Sequence, residues 1–198
     1  SLAGGYALAL ITLSLVPLAG YSGQISLAQM SFAGIGAVVI GNVGANNPVL
    51  GLVAAVAVAA VVGALVSLPA LRLSGIYLAL LTASFALMLS KLVLSQQKVM
   101  PQGNLAVPAL SDAWNTATAR IIVSAVAFTL VGIVVVAVRR SGFGRRLVAM
   151  KDSPAACATL GLNLTKTNLS VFALSAGIAG LGGALLAGSV RVDQFSFE

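Results

Sequence analysis

The sequence has no histidine, a single cysteine (Cys157) and few charged residues. One cysteine argues against a disulfide framework, and the absence of histidine argues against a Cys/His metal site. Charged residues make up 8% of the chain, compared with about 25% in a soluble domain. Residues 1–71 contain no Asp, Glu, Lys or Arg. A stretch this long and apolar excludes a soluble core and predicts membrane-spanning helices, each of roughly 20 apolar residues.

Aromatic residues are also scarce, at 6%, whereas Ala, Gly, Val and Leu dominate and the mean hydropathy is +1.06. Small residues allow helices to approach closely in lipid. We therefore predict an all-α fold, a polytopic transmembrane helical bundle formed by residues 1–198 as a single domain. The chain begins without Met inside an apolar run that lacks the charged start of a signal peptide. From this beginning and the final "QFSFE" we expect a fragment truncated at both ends.

About six spans are predicted from the apolar segments. The turn "GANNP" at 44–48 and a polar stretch at 95–119 separate some of them, and Pro69 lies where the third is expected to end. The six segments are 2–19, 25–43, 49–68, 76–94, 121–138 and 167–190.

The net charge of +7 comes from basic residues that lie mainly between the apolar segments, where they set orientation rather than indicating a nucleic-acid partner. The loop 139–166 is expected to be cytoplasmic because basic residues concentrate on that side. Counting spans backward places the Arg72 turn on the same side, and the turn 44–48 and the stretch 95–119 outside. Six of the eleven basic residues lie in this loop: Arg139, Arg140, Arg145, Arg146, Lys151 and Lys166.

This loop contains a predicted short helix at 154–160. Asp152 or Ser153 suits the N-cap and Pro154 the first turn, and Gly161 is a natural C-terminal stop. Two interpretations remain open. The helix is a surface element with no partner, or it is a docking helix that fits a groove in another protein.

Polar side chains lie within or beside the second apolar segment. An unpaired amide in hydrocarbon costs several kcal/mol, so these groups must face other helices or a watery path. Ser22, Ser26 and Gln29 recur at helical spacing and could share one face. Both interhelical hydrogen bonding and the lining of a translocation path fit, while the lack of charge argues against ion coupling. The candidate path residues are Ser22, Gln24, Ser26 and Gln29.

The last apolar segment carries small residues at every fourth position. Such a stripe is typical of a helix-packing face. Its members are Ala176, Gly180, Ala184 and Gly188. The sequence lacks a G-x-x-x-x-G-K-[ST] phosphate loop, an acid pair and a Ser/His nucleophile, so we expect neither an enzyme nor a cofactor bound by this chain.

Three motifs follow one another in the order of a known family. They are "GYSGQISLAQMSFAGIGA" (20–37), "LPALRLSGIYLALLTASFA" (68–86) and "SGFGRRLVAMKDSPAACATLGLNLTKTNLSVFALSAGIAGLGGALLAG" (141–188). Together they resemble the permease subunits of branched-chain amino acid ABC importers, in particular the M-type permeases. The resemblance covers nearly the whole chain.

The resemblance implies a multi-pass subunit of the bacterial plasma (inner) membrane. It implies a complex with ABC ATPase subunits, a second homologous permease and an extracytoplasmic substrate-binding protein, in which ATP and magnesium are bound by the ATPase. It also implies that 139–166 is the coupling loop and that Ser153, Pro154, Ala155, Ala156 and Gly161 form the ATPase-coupling helix. Ser153 and Cys157 stand where the family has acidic residues, which weakens the case for a charge-based contact but not for the helix.

Other functions remain open. Permeases of the same family import urea or short-chain amides. A passive channel, a secondary carrier and a structural membrane subunit belong to other classes. Carriers place ionisable groups near the membrane midplane, whereas the only charge near a span interior here is Lys91, toward the outer end of its span. Dependence of uptake on ATP separates these classes from the importer.

Overall fold

A computed structural model describes residues 2–44, 47–70, 73, 75–91 and 117–189. These residues form helices and contain no β-strand, which confirms the all-α prediction. The polar stretch predicted at 95–119 lies outside the described residues as far as 116. In chain order the helices are α1 (Leu2–Leu13), a π-helical turn (Val16–Tyr21), α2 (Gln29–Val43), α3 (Pro48–Ala70), α4 (Ile76–Leu89), α5 (Ala117–Arg140), α6 (Gly142–Asp152), α7 (Pro154–Thr159) and α8 (Leu164–Ser189).

Each of the six predicted apolar segments contains one α-helix, and the first also contains most of the π-helical turn. Among the described residues, four stretches are long and apolar enough to cross a membrane, namely Leu2–Tyr21, Pro48–Pro69, Thr118–Arg140 and Leu164–Gly188. The other two segments form the shorter apolar helices α2 and α4, of 15 and 14 residues.

The start of the second segment was predicted wrongly. A span from about residue 25 was expected, but residues 23–28 are not helical and α2 begins at Gln29. Gly23 adopts a left-handed φ of 70°, which a glycine tolerates without steric cost. Farther along, the backbone N–H of Leu27 donates to the side-chain oxygen of Thr82 at 3.0 Å instead of to a helical carbonyl. Contacts from other parts of the chain therefore keep this segment extended.

The loop predicted at 139–166 is mostly helical, and α6 was not expected. Ser141 caps α6 by accepting a hydrogen bond from the backbone N–H of Gly144 at 3.3 Å. The residues Phe143, Leu147 and Met150 recur at helical spacing and turn one face of α6 toward the bundle. This helical spacing of apolar residues could have predicted α6, but the many basic residues around it favoured the prediction of a loop.

Helix α8 lies at the centre of the bundle and packs mainly against α3, α2 and α1. Within its spanning stretch 67% of residues are buried, compared with 11% for α5, which lies at the periphery. Small residues make the close approach possible. A methyl group on Gly183 would overlap the backbone of Ala33, and one on Gly36 would overlap the backbone of Gly180.

The predicted small-residue stripe lies on this central helix. Ala176 and Ala184 are buried, and a methyl group on Gly180 would overlap the side chain of Ala59 on α3. Gly188 differs, because the space beside its Cα is open and its carbonyl accepts a hydrogen bond from Arg120 at 3.2 Å. The first three positions therefore lie at helix interfaces, and the fourth lies near the end of the bundle.

Different helix ends meet at the two ends of the bundle, because successive spans run in opposite directions. Arg120 and Gly188 meet at one end. At the other end the junction after the π-helical turn meets α6 and the start of α8, because Lys151 reaches Gly20 and Gln24 bonds Asn168. We call this second end the α6–α7 end.

Candidate functional site

Residues 23–28, which interrupt the helical structure between the first two apolar segments, form the centre of the candidate site. We call this non-helical segment the break. It follows the π-helical turn, which starts next to Pro17, a residue without a backbone N–H. The hydroxyl of Ser22 donates to the carbonyl of Leu18 at 2.5 Å, and the backbone N–H of Gln24 donates to the same carbonyl at 3.1 Å. Because residues 23–28 are not helical, Ser22, Ser26 and Gln29 do not lie on one helix face. The shared face predicted from their spacing was wrong.

A buried polar cluster joins three segments of the bundle beside this break. The Gln29 Nε2 donates to Ser175 Oγ at 3.1 Å, and the Ser175 hydroxyl donates to the Ser14 carbonyl at 2.6 Å. The Ser14 Oγ lies 2.9 Å from Gln29 Oε1 and 2.5 Å from the Ile11 carbonyl, so these two acceptors share one proton. Hydrogen bonds of this kind hold helices together in lipid.

The other two candidate path residues lie nearer the α6–α7 end. Gln24 is partly buried and its Nε2 donates to Asn168 Oδ1 at 2.7 Å. Ser26 is buried and its hydroxyl accepts from the backbone N–H of Ala28 at 3.3 Å. In this conformation all four candidate side chains bond within the protein, and their role as a path lining stays a prediction.

Helices α5 and α6 contact the break directly. The Lys151 side chain of α6 crosses Gly23, where an added Cβ would lie 2.9 Å from Lys151 Cγ, and its Nζ lies 3.4 Å from the Gly20 carbonyl. The Tyr21 hydroxyl lies 3.3 Å from the Val135 carbonyl of α5, and the Arg139 guanidinium lies 5.7 Å from the Tyr21 ring centre. A displacement of α6 would therefore act on the break through Lys151.

The short helix α7 has a well-defined start and end. Ser153 caps it by accepting from the backbone N–H of Ala156 at 3.3 Å. At the other end Gly161 has a φ of 79°, its N–H donates to Ala158 and the N–H of Leu162 donates to Cys157, both at 3.0 Å. This is the Schellman arrangement, in which glycine provides the left-handed residue. The N-cap, the first-turn proline and the glycine stop predicted from the sequence are confirmed.

Most of α7 is exposed at the end of the bundle. Cys157 is buried against the cluster that contains Leu147 and Met150 and anchors the helix. Leu160 follows the last turn and is 86% exposed. The remaining exposed residues are Ser153, Pro154, Ala155, Ala156, Ala158, Thr159 and Gly161.

Residues 1–198 match the family described as branched-chain amino acid transport system, permease component. The chain belongs to this family. It is similar to the high-affinity branched-chain amino acid transport system permease protein LivM of Escherichia coli (strain K12) and to LivM of Salmonella typhimurium (strain LT2). Each is 30% identical over 181 aligned residues, covering 76% of this chain and 41% of the relative. The chain thus spans less than half the length of these relatives, and no solved structure matches it.

The family and the spanning helices together indicate a multi-pass membrane permease of the branched-chain amino acid transport family.

The sequence did not predict the polar partners of the candidate site. Ser14, Thr82 and Ser175 each lie as a polar residue inside an apolar segment, and this was the available signal. Asn168 lies at the start of α8, where the sequence gives no comparable indication.

Replacing Gln29 by leucine is expected to lower the unfolding free energy of the full-length permease by about 1 kcal/mol, because two interhelical hydrogen bonds are lost. Denaturation with SDS in mixed micelles measures the change. Thr12→Val is the matched control, since the exposed Thr12 hydroxyl bonds only to Ala9 of its own helix. Equal stabilities of the Gln29 and Thr12 variants would show that the buried cluster does not hold the helices together.

Proposed function

We propose that this permease is a subunit of an ATP-driven importer of branched-chain, hydrophobic amino acids. In this proposal it forms part of the translocation path and docks a separate ATPase, which binds ATP and magnesium and performs the hydrolysis. The family and the names of the LivM relatives support the transported class. The site supports it too, because the groups beside the break are hydroxyls and amides, which suit a zwitterion with an apolar side chain.

The docking role is supported chiefly by one observation, namely that α7 is short, exposed and capped at both ends. A helix-in-groove contact needs a short, exposed helix whose ends are fixed before the partner arrives. Helix α7 is capped at both ends, is anchored by one buried residue and presents the apolar Leu160 to its surroundings. Its exposed side chains are small or apolar, so docking would depend on shape and apolar contact rather than on acidic side chains.

The proposed mechanism uses the contacts between α7 and the break. Closure of the ATPase dimer on ATP moves α7, and Cys157 transmits the movement to the core cluster shared with α6. Lys151 of α6 then shifts against Gly20 and Gly23, and the spans on either side of the break tilt. The path changes from inside-facing to outside-facing. Weak polar sites suit this path because tight binding would slow release.

The assembly and its orientation belong to the same proposal. The α6–α7 end faces the cytoplasm of a bacterial cell at the inner membrane, because its basic residues follow the positive-inside pattern. A second homologous permease completes the path. An extracytoplasmic binding protein delivers the amino acid at the opposite end and supplies the selective site.

Replacing Gly161 by arginine tests the docking role. Its φ of 79° strains any other residue by about 1–2 kcal/mol, so the end of α7 is expected to change and ATPase association to weaken about tenfold. Pro154→Arg, at the exposed first turn, is expected to act in the same direction. Association is measured by co-purification of the ATPase with the full-length permease over a range of ATPase concentrations.

Gly142→Arg is the matched control, because Gly142 is exposed at the same end, begins α6 and has open space beside its Cα. This variant is expected to retain the ATPase. Normal ATPase association together with normal import in the Gly161 and Pro154 variants would overturn the docking role.

A further inference from the structure

Four arginines lie within eight residues at the corner between α5 and α6. Arg139 and Arg140 end α5, and Arg145 and Arg146 follow in the first half of α6. We call these four residues the arginine corner. All four are exposed, and Asp152 is the only acidic residue in the described part of the chain. Asp152 lies at the far end of α6, about 10 Å from Arg145 by the helical rise.

The corner is held in a fixed geometry. The Ser141 hydroxyl donates to the Val138 carbonyl at 2.6 Å, and a methyl group on Gly144 would overlap the backbone of Val138 and Arg139. Leu147 is buried against the bundle, which assigns the apolar face of α6. The arginine face of α6 therefore points away from the protein core.

The position of the corner places its charges at headgroup depth. The spanning stretch Thr118–Arg140 ends at the corner, and α6 begins two residues later. An amphipathic helix that directly follows a span lies at the membrane–water boundary. Only 11% of the α5 span is buried within the described chain, so the corner lies at the outer edge of this bundle rather than at its centre.

Electrostatics favour an anion at this place. The beginning of α6 carries the positive end of a helix dipole, and no acidic residue occupies its first turn. Arg145 and Arg146 add like charge there. A negative group bound between them would offset the repulsion, and guanidinium groups bind phosphate oxygens in a bidentate manner.

We infer that the arginine corner binds the phosphate groups of anionic phospholipids in the leaflet at the α6–α7 end. The partner is a headgroup rather than free phosphate, because the corner directly follows a helix that is long and apolar enough to cross a membrane. This inference depends on the spanning helices and not on the transported solute or on ATPase docking. Basic residues that only set orientation would not distinguish one lipid from another.

Native mass spectrometry of the full-length permease tests the inference with phosphatidylglycerol and phosphatidylcholine as the probes. The wild-type protein is expected to retain phosphatidylglycerol preferentially. Removing one arginine is expected to weaken that binding about fivefold, which corresponds to about 1 kcal/mol per charge, and the pair Arg145→Gln with Arg146→Gln about 25-fold. Arg145→Lys with Arg146→Lys keeps the charge but loses the bidentate geometry, so its binding is expected to lie between those of the wild type and the glutamine pair.

Lys166→Gln is the control, because it removes an exposed charge at the same end but outside the corner. An equal loss of phosphatidylglycerol in this variant would overturn the assignment to the corner, as would unchanged binding in the glutamine pair. Loss of the ATPase with unchanged lipid binding would assign the corner to a protein partner instead. If the glutamine pair does not fold, a wild-type preference that does not weaken with rising salt overturns the inference.

Discussion

Replacing Gly183 by alanine is expected to cost the permease about 3 kcal/mol of unfolding free energy or more. The added Cβ would overlap the carbonyl group and Cα of Ala33 on α2. Both positions are helix backbone at a close crossing, so neither can move aside as a flexible side chain could. The loss exceeds the gain of up to about 1 kcal/mol that alanine brings to a helix interior.

Gly188→Ala is the matched control on the same helix. The space beside the Gly188 Cα is open, so this variant is expected to be as stable as the wild type or slightly more stable. Gly177→Ala is a second comparison, since its Cβ would meet the Val56 side chain at 3.4 Å, an ordinary contact. Unfolding in SDS of the full-length permease gives the three values. A Gly183 variant as stable as the Gly188 variant would contradict the close crossing of α2 and α8.

Replacing Gly23 by alanine is expected to lower ATP-driven uptake at least about thirtyfold while the ATPase stays bound. The left-handed φ of 70° costs an alanine about 1–2 kcal/mol. The added Cβ also meets Lys151 Cγ at 2.9 Å, so the lysine must shift at a cost of about 1–3 kcal/mol. A shift of about 2 kcal/mol or more between two transport conformations changes their ratio by this factor.

Two comparisons separate the causes of this effect. Gly75→Ala also strains a backbone with positive φ, here 59° with a ψ of −127°, but has open space beside its Cα, so uptake is expected to fall much less. Lys151→Ala in the Gly23 variant removes the overlap and is expected to restore part of the uptake. Uptake is measured in proteoliposomes, and ATPase association by co-purification. A Gly23 variant that transports like the Gly75 variant would show that the Lys151 contact does not couple α6 to the break.

The features predicted correctly from the sequence depend on neighbouring residues. Apolar runs reveal spanning helices because burial in lipid requires about 20 consecutive apolar residues. The limits of α7 were predictable because Ser153 and Gly161 act within one turn of the helix they cap.

The features that were missed depend on residues far apart in the chain. Gln29 pairs with Ser14 and Ser175, at separations of 15 and 146 residues, so its partners cannot be read from local spacing. The break at residues 23–28 depends on Thr82 and Lys151 from other segments, whereas the sequence predicted that the second span starts at about residue 25.

The proposed importer is tested most directly by uptake of radiolabelled leucine by the full-length permease in proteoliposomes with its ATPase and binding protein. Leucine is expected to accumulate only when ATP is present, and urea is expected not to accumulate in a parallel sample. Leucine entry at the same rate without ATP would contradict the proposed importer and indicate a channel or a carrier. Accumulation of urea but not leucine would contradict the proposed substrate while leaving the ATP-driven importer in place.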